Sequence, residues 1–91
     1  MPAEVRAGVR LTPLKARIFD VVKRAGIDGI RLEDVNNIVF DGDAAPETIR
    51  SHVQQINELL AETDLQISGA DPRGFYRIRM GAGGSPERKK P

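Results

Sequence analysis

Arg50, Ser51, Gln54 and Gln55 are the residues of this chain whose types and spacing could do recognition chemistry. A glutamine amide can bond N6 and N7 of adenine in a bidentate pair, and an arginine can bond N7 and O6 of guanine. The four sit on one side of a helix, and a merely solvated helix face is the competing reading. Arg77 and Arg79 alternate with Tyr76, Ile78 and Met80, so they share the outer face of a strand. With Arg73 in the preceding turn they could supply the electrostatic part of a contact with phosphates. Phe75 and Tyr76 could stack on bases or close a core, and at least one of them is read as core.

Other chemistry finds little footing. Glu33, Asp34, Asp41 and Asp43 have no nucleophile–base spacing and form no Asp-X-Asp-X-Asp-Gly loop with a distal glutamate. They read as helix-dipole and loop charges. One histidine and no cysteine leave neither a protein-only zinc site nor a disulfide framework. The glycines of residues 81–84 precede neither a helix nor Lys-Ser/Thr, so they make no phosphate cradle. No enzyme, metal or cofactor is expected.

The elements that must position these groups follow from apolar spacing. Ile49, Val53, Ile56 and Leu60 recur at steps of four, three and four, which predicts a third helix over 46–63 with Pro46 at its first position. Before it, Thr12-Pro13 opens a first helix carrying Leu14, Ile18, Val21, Val22 and Ala25, which Gly26 stops after two cations. Leu32, Val35, Ile38 and Val39 give a short second helix after a turn at Asp28-Gly29 and an extended link at Ile30-Arg31. Residues 41–45 read as a flexible acidic loop. Leu65, Ile67 and residues 75–80 are strand-like, flanking 69–74, and predict a C-terminal hairpin over 65–80 with a long mobile tip. A short strand is expected at Val9–Leu11. Residues 1–8 read as a flexible N-terminus, 9–80 as the domain, and 81–91 as a disordered basic tail.

Ninety-one residues make one small domain that buries roughly 60–65% of its unfolded surface. No apolar run approaches a membrane span and no signal-peptide core is visible, so a soluble cytoplasmic protein without membrane contact is expected. Of the 14 basic and 13 acidic residues, 81–91 hold three and one, which leaves 11 and 12 for residues 1–80. Such a balance argues against a strong nonspecific grip on polyanions, and charge placement has to carry any such binding.

Helix, helix, turn, helix, hairpin is the α+β layout of a winged helix-turn-helix, in which a third helix can enter the major groove beside a hairpin wing. Leu11-Thr12-Pro13, Thr48-Ile49, His52 four residues after Thr48, and Tyr76-Arg77-Ile78 resemble the OmpR/PhoB-type winged-helix effector domain over residues 9–80, without its receiver domain. The run Thr48-Ile49-Arg50-Ser51-His52-Val53 also resembles the recognition helix of LuxR-type regulators. The resemblance implies sequence-specific binding to double-stranded DNA and transcriptional regulation, as a homodimer or in tandem. It also implies that Thr48 and His52 touch the phosphate backbone and that Arg73 enters the minor groove. For His52 the competing reading is a boundary residue packed on the first helix. Gln54, Gln55 and Asn57 stand where that family carries arginines, and Glu47 and Glu58 bracket the helix. Those features favour the alternative, a winged-helix module that binds RNA polymerase, another regulator or an assembly partner.

Overall fold

Two short strands open the chain, β1 (Glu4–Arg6) and β2 (Val9–Leu11), paired antiparallel with Val5 opposite Arg10. The structure, a computed structural model, describes residues 3–68 and 75–80. Residues 4–6, within the stretch expected as a flexible N-terminus, form a strand. Two local causes hold it. Ala7 and Gly8 have φ of 55° and 76°, the geometry of a two-residue hairpin turn whose twist matches its strands. The Arg6 guanidinium then grips Asp20 on the following helix, Nε to Oδ1 at 2.7 Å and Nη2 to Oδ2 at 2.9 Å. An alanine is strained in that left-handed region, where asparagine is tolerated. Ala7→Asn is accordingly expected to raise unfolding free energy by about 1 kcal/mol, read from denaturant melts.

Helix α1 (Pro13–Ala25) starts as its sequence predicts, with Thr12 Oγ1 accepting from the Lys15 N–H at 3.3 Å. It buries Ala16, Ile18, Phe19 and Val22, and ends in Lys23 and Arg24 before a 3-10 turn at Gly26–Asp28. Strand β3 (Ile30–Arg31) leads into α2 (Leu32–Phe40), which buries Val35 and Val39 and stops at Asp41 in the left-handed region. Ile38 lies on the apolar spacing of α2 and is nevertheless 50% exposed. Helix α3 (Pro46–Leu59) buries Ile49, Val53 and Ile56. It ends short of residue 63 because the Thr63 hydroxyl donates to the Leu60 carbonyl and accepts from the Leu65 N–H, closing a turn.

Strand β4 (Leu65–Ile67) pairs with β6 (Ile78–Met80), and β5 (Phe75–Tyr76) pairs with β3, both antiparallel. One extended run, 75–80, thus bridges two strand pairs. At its joint the Ser68 N–H donates to the Arg77 carbonyl at 2.7 Å, and Ser68 Oγ accepts from the Arg77 N–H at 3.3 Å. Phe19, Val22, Val35, Ile49, Ile56 and Ile67 meet in one core, with Tyr76 against them. Two asparagines fasten loops to helices. Asn36 donates to the Ala44 carbonyl at 2.9 Å and accepts from its N–H at 3.0 Å, and Asn57 does the same for Ile67, both at 2.8 Å.

The described residues form a small α+β domain of three helices and short antiparallel strand pairs. None of these helices is long and apolar enough to cross a membrane.

Candidate nucleic-acid interface

Pro46 at the start of α3 and the Ile49–Val53–Ile56 stripe fix how that helix is rotated. Its other side is therefore set by default. Thr48, Arg50, Ser51, Gln54 and Gln55 are all exposed there, together with Glu47 and Glu58. None of these side chains hydrogen-bonds to another described residue. The structure thus brings five of the six helix positions singled out in the sequence, all but His52, onto one solvent-facing surface, about 10 Å long at 1.5 Å per residue. Arg50 is its only formal cation, against two carboxylates.

Alongside this surface runs an open groove of about 740 Å³. Arg50, Val53, Gln54, Asn57 and Glu58 of α3, Ala61 beyond it and Tyr76 of β5 line it. Tyr76 is 2% exposed, and burial raises its hydroxyl pKa while the charge of Arg50 pulls it back. Arg50 is thereby placed close enough to the hairpin to interact with it electrostatically. The Asn57 amide is spent on Ile67.

His52 is half-buried. Its ring stacks on Phe40 of α2, with centroids 5.8 Å apart and planes 30° apart, and Nδ1 is sealed from solvent with no partner among the described residues. The histidine thus packs at the α2–α3 boundary, beside Lys15 of α1. Burial, then the charge of Lys15, pushes its pKa below the ordinary value, so the folded state holds the neutral form. The unfolded chain then binds more protons below pH 6.5. Stability is accordingly expected to fall as pH drops through that value, and to stop falling once the folded imidazole is also protonated. Melts between about pH 7.5 and about pH 5 check this, and His52→Phe, which keeps the ring contact, flattens that part of the profile.

The arginines of the C-terminal strands divide. Arg79 is exposed on β6, opposite Gln66. Arg77 is half-buried, its Nε donating to the Ile27 carbonyl at 2.9 Å and its guanidinium lying 5.7 Å from the Phe75 ring centroid. Arg31, opposite Phe75 across the β3–β5 pair, lies 5.4 Å from the same ring. So Arg77 ties the turn after α1 to the hairpin, and Phe75 is the aromatic that carries cations while Tyr76 is the one in the core. Arg73, with the rest of the hairpin tip at 69–74, and the basic tail at 81–91 lie outside the described residues.

Sequence reasoning missed Arg31, Asn36 and Asn57. Asparagine is a poor helix former, so finding it inside α2 and α3 was the available sign of side-chain work against a loop backbone. Neither a family model nor a curated protein matches this chain.

Proposed function

We propose that this chain is a winged helix-turn-helix domain that binds double-stranded DNA and regulates transcription. The observation that carries the reading is the exposed face of α3, five polar side chains free of bonds to the described residues. The order α1, β3, α2, α3 and paired strands, with β3 joined to β5, supports the fold part of the reading. In it, Arg50 and Gln54 meet base edges in the major groove, with Ser51 and Gln55 beside them. Thr48 sits in the first turn of α3, where a helix N-terminus favours a phosphate. Arg79 faces the backbone, and Arg77 adds charge while holding the hairpin in place.

Two carboxylates on a surface with one cation weaken this contact, so a single site binds modestly and dimeric or tandem sites raise the affinity. The test is a titration of the chain, cut after residue 80, on duplex DNA at about 50 mM and about 200 mM salt. Binding that weakens with salt is expected. Arg50→Ala with Gln54→Ala is expected to weaken it at least roughly tenfold, with the melting curve unchanged. No binding at the lower salt removes the reading.

A second reading rests on its own observation. Leu59 is 46% exposed beside Glu58 at the end of the same face, a pairing suited to a protein surface such as RNA polymerase or another regulator. Loss of partner capture by Leu59→Asp, in a chain that never shifts DNA, would select it.

A further inference from the structure

A second groove, of about 430 Å³, runs along α1. Val21 and Ala25 of α1, Ile30 of β3 and Ile38 of α2 form its floor, and Arg17, Asp20 and Arg24 edge it. α3 contributes no lining residue. Ile38 is 50% exposed there, and Ile27, in the adjoining 3-10 turn, is 92% exposed. Scattered exposed isoleucines are ordinary on a small domain, but Ile38 lines a concave, two-cation site.

Charge decides what fits. Arg17 Nη2 donates to the Ile38 carbonyl at 3.2 Å, which holds one guanidinium at the groove edge. Arg24 lies exposed seven residues on, on the same face of α1 and roughly 10 Å along the axis, with Lys23 exposed beside it. The carboxylate at the edge, Asp20, is already answered, since both its oxygens accept from Arg6. What the groove offers is an apolar floor between two cations two helical turns apart.

We propose that this groove docks an acidic amphipathic helix of a partner protein. Its apolar side chains cover Val21, Ile30 and Ile38, and carboxylates seven residues apart meet Arg17 and Arg24. Arginine favours such carboxylate pairing because its fork can bond both oxygens. The small floor makes the contact weak. It stands independently of DNA binding, because the two surfaces share no residue.

The probe is a synthetic helix of roughly 14 residues with leucines on one face and glutamates at i and i+7, beside a sibling carrying lysines at those two positions. Fluorescence anisotropy and amide chemical-shift mapping on the full chain read the result. The glutamate peptide is expected to bind at least roughly tenfold tighter than the lysine peptide, and to shift amides of 17–25, 30 and 38. Arg17→Glu with Arg24→Glu should reverse that preference, a gain that a merely damaged fold cannot produce. Should the double reversal melt, Ile38→Asp and Arg24→Glu taken singly should each weaken the glutamate peptide severalfold without moving the melting curve. Equal binding of both peptides, shifts confined to α3, or an unchanged preference in the reversed variants would overturn the proposal. So would sedimentation showing a dimer that protects these same amides, because a second copy would then be the occupant.

Discussion

Gly29→Ala is expected to cost about 3 kcal/mol, from strain of about 1–3 kcal/mol and a comparable overpacking penalty. Gly29 has φ 78° and ψ 175°, a region that is essentially glycine's alone. A Cβ there would lie 3.0 Å from the Tyr76 carbonyl oxygen, 3.0 Å from Arg77 Cγ and 3.1 Å from Phe75 Cβ. The carbonyl cannot step aside, since Tyr76 is in register with Ile30 one residue on. For a domain of this size the loss lowers Tm by roughly 10–20 °C. Gly26→Ala is the comparator: Gly26 also has positive φ, 65°, but a Cβ added there would meet nothing within 4 Å. The difference between the two melts measures the close approach alone, and equal losses would show that β3 and β5 are not packed this tightly.

Asn57→Ala carries the next largest effect, also about 3 kcal/mol, because it strips partners from two backbone groups of Ile67 at once. Ile67 is fully buried, so water cannot easily replace the lost amide. Asn57→Asp refines the argument. Its carboxylate still accepts from the Ile67 N–H but faces the Ile67 carbonyl as a second acceptor, so it should not rescue stability at neutral pH. Denaturant melts give the size, and faster exchange of the Ile67 amide shows that the loss is local to β4. A loss in Asn57→Ala smaller than that in Asn36→Ala would contradict the account, since Ala44, which Asn36 holds, is only half-buried.

Local chemistry was legible and distant pairing was not. Thr12, Pro13 and Gly26 announce both ends of α1, because capping acts within a turn or two of the residue that does it. The Ile49–Val53–Ile56 stripe likewise determines which side of α3 meets solvent, and so where Thr48, Arg50, Ser51, Gln54 and Gln55 point. Glu4–Arg6 escaped notice because the turn that folds it back, Ala7-Gly8, lacks the usual Asn-Gly signal, and because its anchor, Asp20, lies on the next helix. Alternation put Arg77 on an outer face but could not say that its guanidinium would be used by the Ile27 carbonyl. His52 illustrates the same limit. A helical wheel places it at a boundary, whereas only the approach of α2 supplies Phe40 and seals Nδ1.

The extended run at 75–80 closes both of its strand pairs late. Ile30 must wait for Tyr76, and Ile67 for Ile78, so a chain emerging from the ribosome presents three helices before either seam can be stitched. Until the last strand arrives, the apolar side of α3 and the flank of β3 have no finished cover, and closing the loop of about half the chain between Ile30 and Tyr76 precedes the reward. Vectorial synthesis therefore leaves this small domain's nascent form dependent on its final stretch, and a polypeptide ending before residue 75 loses both seams together.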